Sequence, residues 1–131
     1  LYLLDIEKMS WLHKKRIVII GGTSGIGLSA AHAFVQEGAH LVIVGRDDDK
    51  TQKALDVLGK QATGFSGDAS HEDTATKAIQ HCIQQFGGFD GLYHVAGGSG
   101  RKYGDGPLHE ITLEGWNKTI ELNLTSLMLS N

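Results

Sequence analysis

The apolar run Ile17-Val18-Ile19-Ile20 leads straight into Gly21-Gly22-Thr23-Ser24-Gly25-Ile26-Gly27, and a helical pattern opens inside that glycine-rich stretch. No other feature constrains the fold as tightly. A run of β-branched residues reads as a strand covered on both faces, and the glycines let the chain turn sharply from strand into helix. Strand, glycine turn and helix start come in the order that a dinucleotide pyrophosphate site requires. Gly21 can take a backbone conformation closed to residues with a Cβ. Gly25 lets a phosphate approach the main chain, and Gly27 lets the helix pack close to the strand. The first N–H groups of a helix have no internal partner and lie at the positive end of its dipole, so a diphosphate binds there without a lysine. The hydroxyls of Thr23 and Ser24 add donors, and Ile26 belongs to the same turn. The spacing is Gly-x3-Gly-x-Gly; no Gly-Lys-Ser/Thr ends it, so it is not a P-loop. A glycine-rich strand-to-helix turn without a ligand is the competing reading.

The same alternation continues along the chain. Strand one spans about 16–20, and helix one runs from Ser24 or Gly25 to Glu37, with Ile26, Ala30, Ala33 and Phe34 on one face. Gly38 ends that helix. His40 to Val44 is a second strand, again without polar alternation. Asp47 is the expected N-cap of a helix that ends near Gly59. Ala62 to Ser66 is a third strand. Ser70 is the expected cap of a helix through Phe86, with Asp73 completing an imperfect capping box. Leu92 to Val95 is strand four. A glycine-rich loop from Ala96 to Glu110 follows, and Thr112 caps a last helix. Four strands alternating with helices imply a Rossmann-like, doubly wound parallel α/β sheet in the order 3-2-1-4, truncated after about four strands, with the glycine turn at the switch point.

A chain of 131 residues holds one domain at most. Residues 1–13 read as an N-terminal extension and 14–131 as a nucleotide-binding domain incomplete at its C-terminus. Met9 is a candidate natural start. The formal charge of −3 favours neither nucleic acid nor an anionic membrane. Cys82 is the only cysteine and sits in an apolar stripe, which fits core packing and a reducing compartment; the expected location is the cytoplasm. Seven histidines show no metal-ligand spacing, so no metal site is expected.

Together these residues resemble the short-chain dehydrogenase/reductase family. Gly21, Gly25 and Gly27 match its Thr-Gly-x3-Gly-x-Gly motif, with Ile20 where Thr is usual. Asp68-Ala69 after strand three resembles the family's adenine-contacting Asp. Ala96-Gly97 matches the end of its Asn-Asn-Ala-Gly motif, with His94-Val95 in place of the two asparagines. Asn123 matches the Asn on the helix after strand four. The resemblance runs from about Lys14 to Asn131 and implies hydride transfer between a nicotinamide cofactor and a small carbonyl or alcohol substrate. It also implies a catalytic Ser and a Tyr-x3-Lys pair. Tyr2, Tyr93 and Tyr103 are followed four residues later by Ile6, Gly97 and Pro107, so none fits. This chain is therefore expected to carry the cofactor-binding half and to be inactive alone.

The second strand ends in Gly45-Arg46. A carboxylate at position 45 would bond a ribose 2′-OH and repel a 2′-phosphate. Here that carboxylate is absent and a guanidinium follows, which favours NADP(H) over NAD(H). The competing reading is a surface Arg46 that balances Asp47, Asp48 and Asp49. The expected cofactor-binding set is Gly21, Thr23, Ser24, Gly25, Ile26, Gly27, Arg46, Asp68, Ala69, Ala96 and Gly97. Asn123 is the one expected member of the catalytic machinery, where the family role is to hold a water of the proton relay. A turn role for Asp68 and a structural role for Asn123 stand beside these. His94 is read as satisfied inside the fold, Trp116 as core or interface, and Arg101, Lys102 and Tyr103 as a mobile, solvated loop. Homo-oligomers are expected at full length. A non-catalytic NADP(H)-binding sensor or interaction module is the alternative function.

Overall fold

The computed structural model describes residues 10–131. Met9 and the residues before it, including the candidate start, lie outside that range. Four strands form one parallel sheet: β1 (Arg16–Ile20), β2 (His40–Gly45), β3 (Ala62–Ser66) and β4 (Gly91–His94). Their spatial order is β3-β2-β1-β4, as the alternating pattern predicts. The helices are α1 (Gly25–Gln36), α2 (Asp48–Leu58) and α3 (Thr74–Phe86), followed by α4 (Leu113–Ile120), a π-helical turn over Glu121–Thr125, and α5 (Ser126–Ser130).

The sheet is the core. Successive side chains of β1 and β2 point to opposite faces. Ile17, Ile19, Leu41 and Ile43 pack with Ala31, Ala54 and Leu58 on the α1–α2 face. Val18, Ile20, Val42 and Val44 pack with Ala78 and Cys82 on the α3 face. Burying each such aliphatic side chain contributes about 1.5–3 kcal/mol relative to exposure. This double coverage explains why both runs read as continuous apolar sequence. Burial also pushes the Cys82 thiol up, in keeping with a packing role.

Two helices differ from their sequence pattern. In α1 the fully buried positions are Gly27 and Ala31, and Phe34 packs against the same core as expected, with Leu28 and Val35, while Ile26 is 71% exposed and Ala33 is also exposed. Gly27 lies against the Gly21 main chain, where an added Cβ would overlap the Gly21 carbonyl oxygen. Helix α3 begins at Thr74 and not beside Ser70, because the Ser70 hydroxyl and N–H both donate to Asp68 Oδ1, at 2.7 and 2.9 Å. Ser70 thus closes a turn at the end of β3. The caps of α2 and α4 follow the sequence reading: Asp47 Oδ1 accepts from the Lys50 N–H at 2.8 Å, and Thr112 Oγ1 accepts from the Gly115 N–H at 3.0 Å.

The opposite end of the sheet is tied by charge. Arg16 donates through Nε to Asp90 Oδ2 at 2.8 Å and through a second nitrogen to Asp90 Oδ1 at 3.0 Å, which joins the starts of β1 and β4. This two-point pairing holds the Asp90 carboxyl well below the usual carboxylate range. Residues 11–14 form a turn at the same end, where the Ser10 hydroxyl donates to the Glu37 carbonyl and the Lys14 N–H to the Gly38 carbonyl at 2.8 Å.

Candidate functional site

At the C-terminal ends of the strands a cleft of about 650 Å³ opens between β1, β2, β3 and β4, where the strand order reverses. Of the residues expected at the nucleotide, Gly21, Thr23, Ser24, Gly25, Ile26, Arg46, Asp68, Ala69, Ala96 and Gly97 line it. Gly27 lies behind the wall, buried. Asn123 stands one residue from the lining position Leu122.

Two glycines shape the turn in different ways. Gly21 has φ +94°, and a Cβ there would stand 2.6 Å from the Ala96 nitrogen. The end of β1 and the chain beyond β4 therefore touch main chain to main chain. Gly25 has φ +51° and nothing within 4 Å of where its Cβ would be. It opens α1 at the cleft. Ser24 supplies no side-chain cap to α1, so its first-turn N–H groups carry no capping acceptor from that residue. These are the attributes of a phosphate site: unpaired donors, a positive dipole end and no side chain in the way.

The second strand ends beside it. Gly45 is buried and Arg46 exposed. Lys50, which sequence reasoning did not single out, also lines the cleft, one helical turn beyond Arg46. The Asp47 carboxylate is engaged by the Lys50 N–H, so one of the three local acids already serves as a helix cap. Across the cleft, partial burial alone would raise the Asp68 carboxyl. The Ser70 N–H and hydroxyl, with His71 and Arg46 nearby, outweigh it and hold the group below its ordinary value. Asp68 is therefore an ionised acceptor with one oxygen engaged by Ser70.

The floor is the segment 94–98, pinned at both ends to the last helical stretch. Asn123 Oδ1 accepts from the Gly98 N–H at 3.1 Å, while Nδ2 donates to the Gly98 carbonyl at 2.7 Å and the Thr119 carbonyl at 2.9 Å. A Cβ on Gly97 would come within 2.7 Å of Asn123 Oδ1, so any larger residue there would push the Asn123 amide from its seat. Asn123 sits in the π-helical turn, a distortion often found where a helix serves a site. His94, at the end of β4, lies inside the fold. Its Nε2 is 2.9 Å from the Ala96 carbonyl and its Nδ1 is 2.7 Å from Ser130 Oγ. A carbonyl only accepts, so Nε2 carries the proton; in the neutral ring Nδ1 then accepts from the Ser130 hydroxyl, whose single hydrogen is otherwise within reach of the Ser126 carbonyl at 3.1 Å. Burial favours this neutral ring and lowers the His94 pKa, against a smaller opposite effect of the Ala96 carbonyl.

The glycine-rich loop after β4 is held to α4. Thr119 Oγ1 donates to Asp105 Oδ2 at 2.9 Å, and Thr112 Oγ1 donates to the Tyr103 carbonyl at 2.9 Å. Arg101–Tyr103 form a single 3-10 turn whose side chains are exposed, and Lys118 lies 5.6 Å above the Tyr103 ring. None of the three lines the main cleft. Trp116 is 51% exposed and Leu124 59%, so neither is core in this chain.

Sequence reasoning missed Gly67, Ser70, Val95, Leu122 and Ser126 in the cleft wall. Leu122 and Ser126 are four apart and so share a helix face, a visible signal, but only packing tells which face meets the cleft. Among the described residues no group of three His, Cys, Asp or Glu could hold a metal, and no helix is long and apolar enough to cross a membrane.

Comparison with known proteins covers nearly the whole chain. The family model for short chain dehydrogenase matches residues 15–130. The 2,5-dichloro-2,5-cyclohexadiene-1,4-diol dehydrogenase of Sphingobium indicum is 28% identical over 121 residues, which span 92% of this chain and 47% of that protein. The cis-4-hydroxycyclohexanecarboxylate dehydrogenase of Sinomonas cyclohexanicum is 32% identical over 114 residues, spanning 86% and 45% respectively. Among solved structures, a short-chain type dehydrogenase/reductase from Mycobacterium ulcerans aligns with TM-score 0.81 at 31% identity, over 90% of this chain and 44% of that one. A 3-ketoacyl-(acyl-carrier-protein) reductase from Brucella melitensis, in complex with NADH, aligns with TM-score 0.80 at 25% identity, over 91% and 48%. The chain thus spans about half the length of the curated relatives it matches.

Proposed function

This chain belongs to the short-chain dehydrogenase family, and on that premise we propose that it is the NADP(H)-binding half of an oxidoreductase acting on a small carbonyl or alcohol. One observation carries the cofactor choice. Arg46, just after β2, and Lys50, in the first turn of α2, both line the cleft, where position 45 has no side chain and the Asp47 carboxylate caps a helix. A 2′-phosphate has two cations to meet there and no carboxylate at position 45 to repel it. The residues fit the rest of a dinucleotide. When bound, the pyrophosphate would be held by the first turn of α1, the adenine by Asp68 and Ala69, and the remaining ribose and nicotinamide by Val95, Ala96 and Gly97.

When bound, the cofactor supplies the hydride acceptor or donor. The chain's own residues bind and orient it. Asn123 fixes Gly98 and the floor, and in the complete site it holds a water of the proton path. Proton transfer to substrate needs a positioned acid or base. No Tyr here is followed four residues later by Lys, so on this reading residues 14–131 bind the nucleotide and do not themselves supply that acid or base. The dehydrogenase names of the two relatives above support an alcohol or carbonyl substrate. Homo-oligomers at full length and a cytoplasmic location complete the proposal.

Titrating the 131-residue protein with NADPH and with NADH, followed by nucleotide fluorescence, tests the reading. NADPH is expected to bind at least tenfold more tightly. Arg46→Ala should remove most of that preference, because a charge-assisted hydrogen bond contributes about 1.5–3 kcal/mol and Arg46, being exposed, sits at the low end. Equal affinity for both nucleotides in the parent protein refutes the NADP(H) assignment.

A further inference from the structure

Gly45 ends β2 without a left-handed φ, so its backbone would accept any residue. Space is what forbids one. A Cβ at position 45 would lie 2.9 Å from Thr23 Cβ and 2.5 Å from Thr23 Cγ2, with Thr23 Oγ1 nearer still. Turning the Thr23 side chain moves Cγ2 and Oγ1 but leaves Cβ, which is fixed to the main chain of the glycine turn. Thr23, Gly45 and Arg46 all line the same cleft. The glycine turn and the end of β2 are thus shaped to each other.

We propose that Thr23 is a specificity-determining residue: its side chain fills the space over Gly45, keeps an acidic side chain out of that position, and leaves Arg46 and Lys50 to select a nucleotide with a 2′-phosphate. The choice of ligand rests on the NADP(H) reading above; the steric coupling does not. A carboxylate introduced at position 45 alone meets Thr23 and cannot settle against a ribose. Shortening Thr23 opens the seat. Preference between the two nucleotides is therefore set by a pair of residues on two elements, 22 positions apart in sequence.

The test compares the parent protein with Gly45→Asp, Thr23→Ala and the double variant, by urea unfolding and by titration with NADPH and NADH. Thr23→Gly paired with Gly45→Asp guards against the 2.9 Å contact that an alanine Cβ retains. Gly45→Asp alone is expected to lower the unfolding midpoint and to weaken both nucleotides at least tenfold. A double variant should recover most of the midpoint and bind NADH more tightly than NADPH. A single Gly45→Asp variant as stable as the parent overturns the proposal, as does a midpoint that neither double variant restores. Restored stability with no nucleotide bound by the parent leaves the packing in place but overturns the specificity role, and it places the failure in the NADP(H) reading.

Discussion

Gly25 and Gly27 are two residues apart in one turn, and alanine at each should fail differently. At Gly25 the main chain has φ +51° and open space around the missing Cβ. Alanine there meets no atom and bears only the left-handed conformation, at about 1–2 kcal/mol. At Gly27 the conformation is ordinary, but a Cβ would overlap the Gly21 carbonyl oxygen and stand 2.8 Å from the Gly21 carbonyl carbon and 3.1 Å from Gly22 Cα. All three are main-chain atoms, which no rotamer change can move. Overpacking costs about 1–3 kcal/mol where side chains can adjust, so a clash with fixed backbone lies at or above the top of that range. Against a total stability of about 5–15 kcal/mol, this is a large share. With a urea m-value of about 2 kcal/mol/M, Gly27→Ala should lower the midpoint by roughly 1.5 M and Gly25→Ala by roughly 0.5–1 M. Circular dichroism during urea titration reads both. Nucleotide titration then separates them. Gly25→Ala should be folded yet bind NADPH at least tenfold more weakly, because its methyl group stands where the phosphate approaches α1. An unchanged midpoint for Gly27→Ala would refute the close approach of α1 to β1. Full NADPH affinity in Gly25→Ala would remove the phosphate from the first turn of α1.

Two further outcomes follow from the floor of the cleft. The folded-state pKa of His94 is lowered from 6.5, so the unfolded chain binds the extra proton first; the stabilisation is complete above pH 6.5 and is lost as pH falls below it. Urea midpoints measured between pH 7.5 and 5 should therefore fall with acidity and flatten in His94→Asn; a slope unchanged by that substitution places its origin elsewhere. Asp68 and Asp90 also have lowered pKa values, but from 3.8, so they act at lower pH. Asn123→Ala removes the side-chain bonds to Gly98 and Thr119. Because Asn123 is exposed, the expected loss is about 1 kcal/mol of stability, with faster hydrogen exchange at the Gly98 amide; protection equal to the parent's would show that the side chain does not hold the loop.

Much of the architecture follows from local sequence. Double-sided burial makes β1 and β2 unbroken apolar runs, and glycine with φ +94° or +51° marks where the chain turns from strand to helix. Helix caps such as Asp47 and Thr112 are satisfied within three residues, so they too are visible locally. From these come the four strands, their order and the place of the glycine turn at the end of β1. Only the folded structure decided which of the available partners each residue takes. Gly27 is buried and Ile26 exposed, and the Gly21 carbonyl beside Gly27 leaves room there only for hydrogen. Ser70 closes a turn on Asp68 in place of starting a helix, a local alternative that the capping pattern by itself does not distinguish. His94 meets Ser130 across 36 residues and Asn123 meets Gly98 across 25. Periodicity fixes which residues share a face; only packing fixes which atoms that face will meet.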